Sequence, residues 1–469
     1  MQFPGQSFQL TALSLAVSLF FVSAAISGAQ NGAEASVLSA TSEAKTQVSA
    51  QAVLSKAKIA NGQEATFILV SIEADEISPE TMLPRPPLNL ALVLDQSGSM
   101  AGAGKLSYAK QAAIDIVKRL EPQDRVALVA FASHVDLLYR SAAPDSEKLT
   151  RLINALEPTS STNISGALGM GAVQVTSQSA DTAAQNVVSR VLLLSDGLAN
   201  RGVQDLPGIQ GFSQKWRDQG LSITAMGLGA DYDEQFLSTI AKAGAGNYHF
   251  IESPEQMSFV FEQELRSLTQ TLAKDLELNV ALPAGMKASY FSLDDLPLST
   301  LKDLGSLFAG EQRQYLIKLD GKLEVADLTT LQIGYTDVNT GLKQLITLSP
   351  ELSETQADVQ EAVALMMASR LEREALQLAS TEGAQAAADF VVSGMALSGL
   401  EYAPNSAAVA SKLEALELQA QDYADLSNQS QEANKVYLKQ RSNAVFSLSK
   451  GRKAGDTLAL GSTGFEVER

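Results

Sequence analysis

Two short, nearly apolar runs, each closed by an aspartate, constrain this chain more than any other feature. Leu88-Asn89-Leu90-Ala91-Leu92-Val93-Leu94 leads into Asp95, and Val187 to Leu194 leads through Ser195 to Asp196. A strand with one wet face alternates apolar and polar residues; runs without that alternation suit strands covered on both faces, as in parallel sheets. Further apolar strands are expected at Arg125–Phe131, Leu221–Leu228 and Tyr248–Ile251, with Val135–Tyr139 as a hairpin partner. Between them lie segments of helical period. Near Ser107–Leu120, for example, Ala109, Ala112, Ala113, Ile116, Val117 and Leu120 form one stripe. Other helices are expected near Ser146–Leu156, Ile164–Gln178, Gln210–Gln219, Asp233–Ala243 and Pro254–Thr271. Strands alternating with helices predict a doubly wound, mainly parallel α/β sheet, which binds ligands at the carboxyl ends of its strands where the strand order reverses. The positions just after Leu94 and Leu194 are therefore the ones to inspect.

The flanks read differently. Glu64–Val70 is a β-branched strand, and Pro84, Pro86 and Pro87 mark the boundary before the α/β segment. Past residue 273 the pattern is β-like again, at Leu276–Ala281, Lys287–Phe291, Gln314–Leu319 and Thr330–Tyr335. These strands are expected to pair with the one before Pro84, giving a small β-sandwich into which the α/β domain is inserted. From Ser353 the chain turns helical. Ser353-Glu354-Thr355-Gln356 fits a capping box, Val363, Met367, Leu371, Ala375 and Leu378 make one stripe, and more helices follow near Ala384–Leu397 and Ser406–Leu426. The expected organisation is a signal peptide over 1–29, a leader and β flank over 30–87 with the loose leader reaching about residue 55, and the α/β domain over 88–272. A second β flank follows over 273–350, then a helical region over 351–450 and a flexible tail over 451–469.

Composition removes whole classes of chemistry. The chain of 469 residues has no cysteine, so disulfides, thiolate catalysis, iron–sulfur clusters and Cys-type zinc sites are excluded. Its two histidines, His134 and His249, cannot build a histidine-rich site, so any metal should be a hard cation held by oxygens. A formal net charge of −18, without a dense basic run, argues against nucleic acid as a partner. The Gly-Ala-Gly-Lys stretch before Ser107 has the wrong spacing for a phosphate-binding loop, and Lys105 is followed by Leu106 rather than Ser or Thr, so no nucleotide is expected.

Asp95-Gln96-Ser97-Gly98-Ser99 stands at the end of the first buried strand, Thr159-Ser160-Ser161-Thr162-Asn163 before a helix, and Ser195-Asp196-Gly197 after another strand. In this order and context the three segments closely resemble the metal-ion-dependent adhesion motif of von Willebrand factor type A (VWA) domains. The resemblance covers residues 88 to 272 firmly, and Gln123-Asp124-Arg125-Val126-Ala127, Gly227-Leu228-Gly229 and Gly246-Asn247-Tyr248 are similar to bacterial members. It implies a metal site made by Asp95, Ser97, Ser99, Thr162 and Asp196. The hydroxyls of Ser97, Ser99 and Thr162 would coordinate directly, and the two carboxylates partly through water. Mg²⁺ is the expected ion, with Mn²⁺ or Ca²⁺ possible. A position left open there would accept an Asp or Glu carboxylate of a partner protein.

Competing readings are weaker. Ser97 or Ser99 as a nucleophile needs a base, and both histidines fall elsewhere in the expected fold, as surface or packing residues. Asp231-Tyr232-Asp233-Glu234 fits a helix N-cap better than a cation site, and Asn163 fits another cap. Trp216 and Met366-Met367 fit packing roles. The reading is a non-enzymatic, cation-dependent binding module; a scaffold whose metal stabilises the fold is the alternative, and a metal-dependent hydrolase is less favoured. Leu10 to Ile26 followed by Ser27-Gly28-Ala29 fits an export signal, although Met1 to Gln9 contains no Lys or Arg. The protein is thus expected outside the cytoplasm, touching the membrane only if that segment stays uncleaved.

Overall fold

The structure, a computed structural model, describes residues 47–59, 62–76, 85–159, 161–179, 187–283, 285–320, 330–352, 356–395, 400–426 and 429–450. The export segment, Pro84 and the tail over 451–469 lie outside the described residues. Among those described, no helix is long and apolar enough to cross a membrane.

The chain enters through β1 (Val48–Lys58) and β2 (Glu64–Ala74), an antiparallel pair in continuous register from Val48↔Ala74 to Lys58↔Glu64. The expected leader up to about residue 55 is therefore partly a strand. Its Ala- and Ser-rich composition has low intrinsic strand preference, and pairing with β2 overrides it. Asp124 then anchors the entry to the α/β domain: its carboxylate accepts from Arg85 at 2.8 and 2.6 Å, from the Leu88 N–H at 2.9 Å and from the Glu121 N–H at 2.7 Å.

The α/β domain runs β3 (Leu88–Asp95), α1 (Lys105–Arg119), β4 (Arg125–Phe131), β5 (Val135–Ala142), α2 (Ser146–Asn154), α3 (Ile164–Ser179), β6 (Val188–Ser195), α4 (Leu206–Arg217), β7 (Ser222–Leu228), α5 (Glu234–Ala243), β8 (Ala245–Ile251) and α6 (Met257–Thr269). Its sheet has the order β5-β4-β3-β6-β7-β8, parallel except for β5, the expected hairpin partner of β4. Every residue of β3 is buried. Leu88, Leu90, Leu92 and Leu94 join the core under α1, α2 and α6, while Ala91 and Val93 join the one under α3, α4 and α5. The absence of alternation in the sequence has this two-faced burial as its cause. From β3 the chain builds outward to β5 on one side; from β6 it builds outward to β8 on the other. The β3–β6 junction is the point where strand order reverses.

The chain returns to the flank with β9 (Thr271–Ala281), β10 (Lys287–Tyr290), β11 (Leu296–Pro297), β12 (Leu307–Phe308), β13 (Gln312–Asp320), β14 (Thr330–Asp337), β15 (Lys343–Leu348) and β16 (Glu351–Leu352). Two sheets, β11-β10-β13-β2-β1-β16 and β12-β9-β14-β15, share one apolar core. Strand β13 pairs with β2 from Gln312↔Glu73 to Leu319↔Thr66, so the α/β domain is inserted between two parts of one sandwich.

Among the described residues, the α-helices α7 (Ala357–Thr381), α8 (Ala384–Met395), α9 (Ala407–Leu426) and α10 (Gln431–Ser449) follow. The capping box expected at Ser353–Gln356 does not start α7. Its N-cap is Gln356, in the left-handed conformation at φ 56° and without a side-chain capping bond, while 353–355 lie outside the described residues. Val359 and Val363 of α7 pack on Phe67 and Leu69 of β2. Helix α10 crosses back to the α/β domain, where Phe446 meets Tyr248 edge-on at 5.6 Å.

Candidate functional site

The expected site residues converge at the β3–β6 junction. Asp95 ends β3 with its carboxyl fully buried; the Ser97 N–H donates to Oδ1 at 2.7 Å and the Ser195 hydroxyl to Oδ2 at 2.5 Å. Burial pushes this carboxyl up to about 6, against the lowering hydrogen bonds from Ser195 and Ser97 and with the help of nearby Asp196.

The chain then turns through Ser97 into Gly98–Gly104, two short 3₁₀ turns separated by a kink at Gly102 and Ala103. Ser97 Oγ lies 3.0 Å from Ser99 Oγ, and Ser99 donates to Asp196 Oδ1 at 2.6 Å. Ser97 and Asp196 are buried while Ser99 is exposed, so the cluster reaches the surface at Ser99.

Thr162 arrives from the loop before α3. That loop is tied to the first one by the Thr159 N–H, which donates to the Gln96 carbonyl at 2.7 Å. It turns at Ser161, held in the left-handed region at φ 53°. Asn200 clamps Thr162 from both sides: its Oδ1 accepts the Thr162 N–H at 2.8 Å and its own N–H donates to the Thr162 carbonyl at 3.1 Å. Gly197 shows how closely the hydroxyls gather. A Cβ there would lie 3.3 Å from Thr162 Oγ1, 3.5 Å from Ser99 Oγ and 3.9 Å from Ser97 Oγ. Three hydroxyl oxygens thus gather around one small space beside glycine, and Ser99 links them to the Asp196 carboxylate.

Three residues around this space carry no role in the motif. Ser195 holds the far side of Asp95, Asn200 positions Thr162, and Lys105 donates from Nζ to Asp196 Oδ2 at 2.7 Å. Position alone signals Ser195, which immediately precedes Asp196 in a parallel neighbour of β3. Lys105 is visible in the sequence only as the lysine of a failed phosphate loop.

The other candidates go elsewhere. Among the described residues, no three His, Asp or Glu side chains gather as a metal cage. His249 Nε2 lies 3.1 Å from Glu264, inside a buried network of Arg190, Thr224 and Asn247, and His134 sits in the β4–β5 turn. Asp233 caps α5 by accepting the Phe236 N–H at 2.9 Å, and Asn163 Oδ1 accepts the Gly166 N–H at 3.1 Å, as expected of caps. Trp216 is buried in the core under α3, α4 and α5.

Comparison with known proteins agrees with this fold. The family described as von Willebrand factor type A domain matches residues 89–263. The uncharacterized protein YfbK of Escherichia coli is 29% identical over 221 residues, covering 46% of this chain and 37% of that protein. Inter-alpha-trypsin inhibitor heavy chain H2 of Mus musculus is 26% identical over 274 residues, covering 56% of this chain and 27% of that protein. The chain therefore spans well under half the length of these relatives. A solved von Willebrand factor type A structure from Catenulispora acidiphila superposes with a TM-score of 0.56 at 16% identity, covering 75% of this chain and 88% of that one, a likeness of fold.

Proposed function

We propose, from the premise that residues 89–263 are a von Willebrand factor type A domain, that this chain is a divalent-cation-dependent binding module for an acidic group on a protein partner. Domains of this family often mediate metal-dependent protein interactions. The observation that carries the reading is the convergence of Ser97, Ser99 and Thr162 hydroxyls on the space beside Gly197, next to Asp196. Hydroxyl and carboxylate oxygens without sulfur or imidazole suit a hard cation of the Mg²⁺ kind.

In this reading Ser97, Ser99 and Thr162 hold the ion directly, and Asp95 and Asp196 supply the charge. A bound cation would offer an unfilled position to a partner's Asp or Glu carboxylate. The protein's own residues do the positioning. Ser195 and the Ser97 N–H fix Asp95, Asn200 fixes Thr162, and the exposure of Ser99 leaves the cluster open to a partner. Binding rather than turnover is supported by the engagement of His249 with Glu264, away from the serines. The export-like N-terminus supports an extracytoplasmic partner.

Calorimetric titration of Mg²⁺, Mn²⁺ and Ca²⁺ into chelator-stripped protein tests this reading, beside Asp95→Asn and Thr162→Val. One saturable site in the wild type, lost in both folded variants, is the expected result. Wild-type protein that binds none of the three ions overturns it. A site whose loss lowers stability while partner binding persists points to the scaffold alternative.

A further inference from the structure

Lys105 is placed against the ordinary electrostatics of a helix. It is the first residue of α1, and the first turn of that helix contains no acidic residue. A cation at a helix N-terminus is opposed by the helix dipole, where an anion would be favoured. The side chain nevertheless folds inward, 20% exposed, to reach Asp196, whose side chain is wholly buried. Its stem runs beside Gly229, just past the end of β7, where a Cβ would lie in ordinary contact at 3.7 Å from Nζ and 3.8 Å from Cε. Ser99 occupies the other oxygen of the same carboxylate. Lysine and hydroxyl cluster thus share Asp196.

The charge balance follows from these contacts. Asp95 and Asp196 bring two negative charges, and Lys105 returns one. A divalent cation against the two aspartates alone is neutralised; with Lys105 beside it, the loaded site keeps one positive charge. That is the charge of a single carboxylate with the sign reversed.

We propose that Lys105 is a built-in counter-cation that weakens the hold on the metal and makes the loaded site select an anionic group. This rests on the metal-binding reading above. The lysine is a specificity-determining residue: it taxes the empty-to-loaded step through like-charge repulsion and returns the difference as attraction for an incoming carboxylate. It also keeps Asp196 paired when no cation is bound, because a buried carboxylate without a partner is costly.

The test compares full-chain wild type with K105M, K105Q and K105R. Mn²⁺ is titrated by calorimetry, acetate is titrated into the Mn²⁺-loaded proteins by water-proton relaxation, and thermal melts report folding. K105M and K105Q should bind Mn²⁺ on the order of tenfold more tightly and acetate several-fold more weakly, with K105R rescuing both properties. K105Q keeps a donor for Asp196, so it serves if K105M fails to fold. Folded K105Q that binds Mn²⁺ with unchanged or lower affinity overturns the proposal while leaving the metal site standing. Wild type that binds no Mn²⁺ overturns both.

Discussion

Ser195 donates its hydroxyl to Asp95 Oδ2 at 2.5 Å from the end of the neighbouring parallel strand, so the two strands flanking the switch point are joined through the site itself. Asp95 is fully buried, and its other oxygen is taken by the Ser97 N–H. The first acidic residue of the motif is held by what lies beneath the surface as much as by the loop around it.

Ser195→Ala therefore leaves one buried carboxylate oxygen without its donor. An unmade hydrogen bond of this kind costs about 1–3 kcal/mol. Urea denaturation should show that loss, together with weaker Mg²⁺ binding in calorimetry. A variant with wild-type stability and affinity would show that the contact does not position Asp95.

Glu264 is wholly buried between Arg190, Thr224, Asn247 and His249. Burial pushes its carboxyl up, but Arg190, the bond and charge of His249 and the bond from Thr224 together hold it below the usual carboxylate value of 4.5. A depressed folded-state value makes its contribution to stability complete above the unfolded value and lost as pH falls through the folded one. The wild type should lose stability progressively below about pH 4.5. Glu264→Gln should be less stable at neutral pH by about 3–5 kcal/mol, because it breaks a buried ion pair with Arg190, and should lack this part of the acid slope. Denaturation at a series of pH values separates the two.

Gly246 lies within β8 against the backbone of β7. A Cβ there would stand 2.0 Å from the Ile223 carbonyl oxygen and 2.3 Å from its carbon, and backbone cannot move aside as a flexible side chain does. Gly246→Ala should destabilise the protein by about 3 kcal/mol, the upper end for overpacking. Thermal unfolding beside Gly211→Ala, whose Cβ meets nothing within 4 Å, is the measurement.

Helix α10 is held on the α/β domain by Phe446 against Tyr248 and by Lys439, whose Nζ donates to the Tyr232 carbonyl at 2.9 Å and sits 3.7 Å from the centre of the Tyr232 ring. Phe446→Ala should cost about 3 kcal/mol locally. Hydrogen exchange over Gln431–Ser449 should speed up while β3 and β6 keep their protection. Unchanged exchange in α10 would assign its docking to the lysine contacts.

The parts read correctly from sequence share one property: their signal lies in adjacent residues. The two-faced burial of β3 is written in its unbroken apolar run, and Asp95, Ser97 and Ser99 stand within one turn. The helical caps at Asn163 and Asp233 are equally local. β1 escaped because Ala and Ser hide its strand character until β2 pairs with it. The capping-box pattern at Ser353–Gln356 does not by itself locate the start of α7, whose N-cap is Gln356 in a left-handed conformation.

By itself the sequence determined a doubly wound domain set between two β flanks, and it raised the expectation of an oxygen-only site built from five named residues. Side-chain chemistry and local periodicity need no partner in space to be legible. Only the tertiary structure decided that Ser195 holds Asp95, that Asn200 clamps Thr162, that Lys105 reaches Asp196 and that α10 returns to β8. Each of these contacts joins separate segments, and a hydrogen bond or ion pair exists only within a few ångströms, a distance that the folded chain sets.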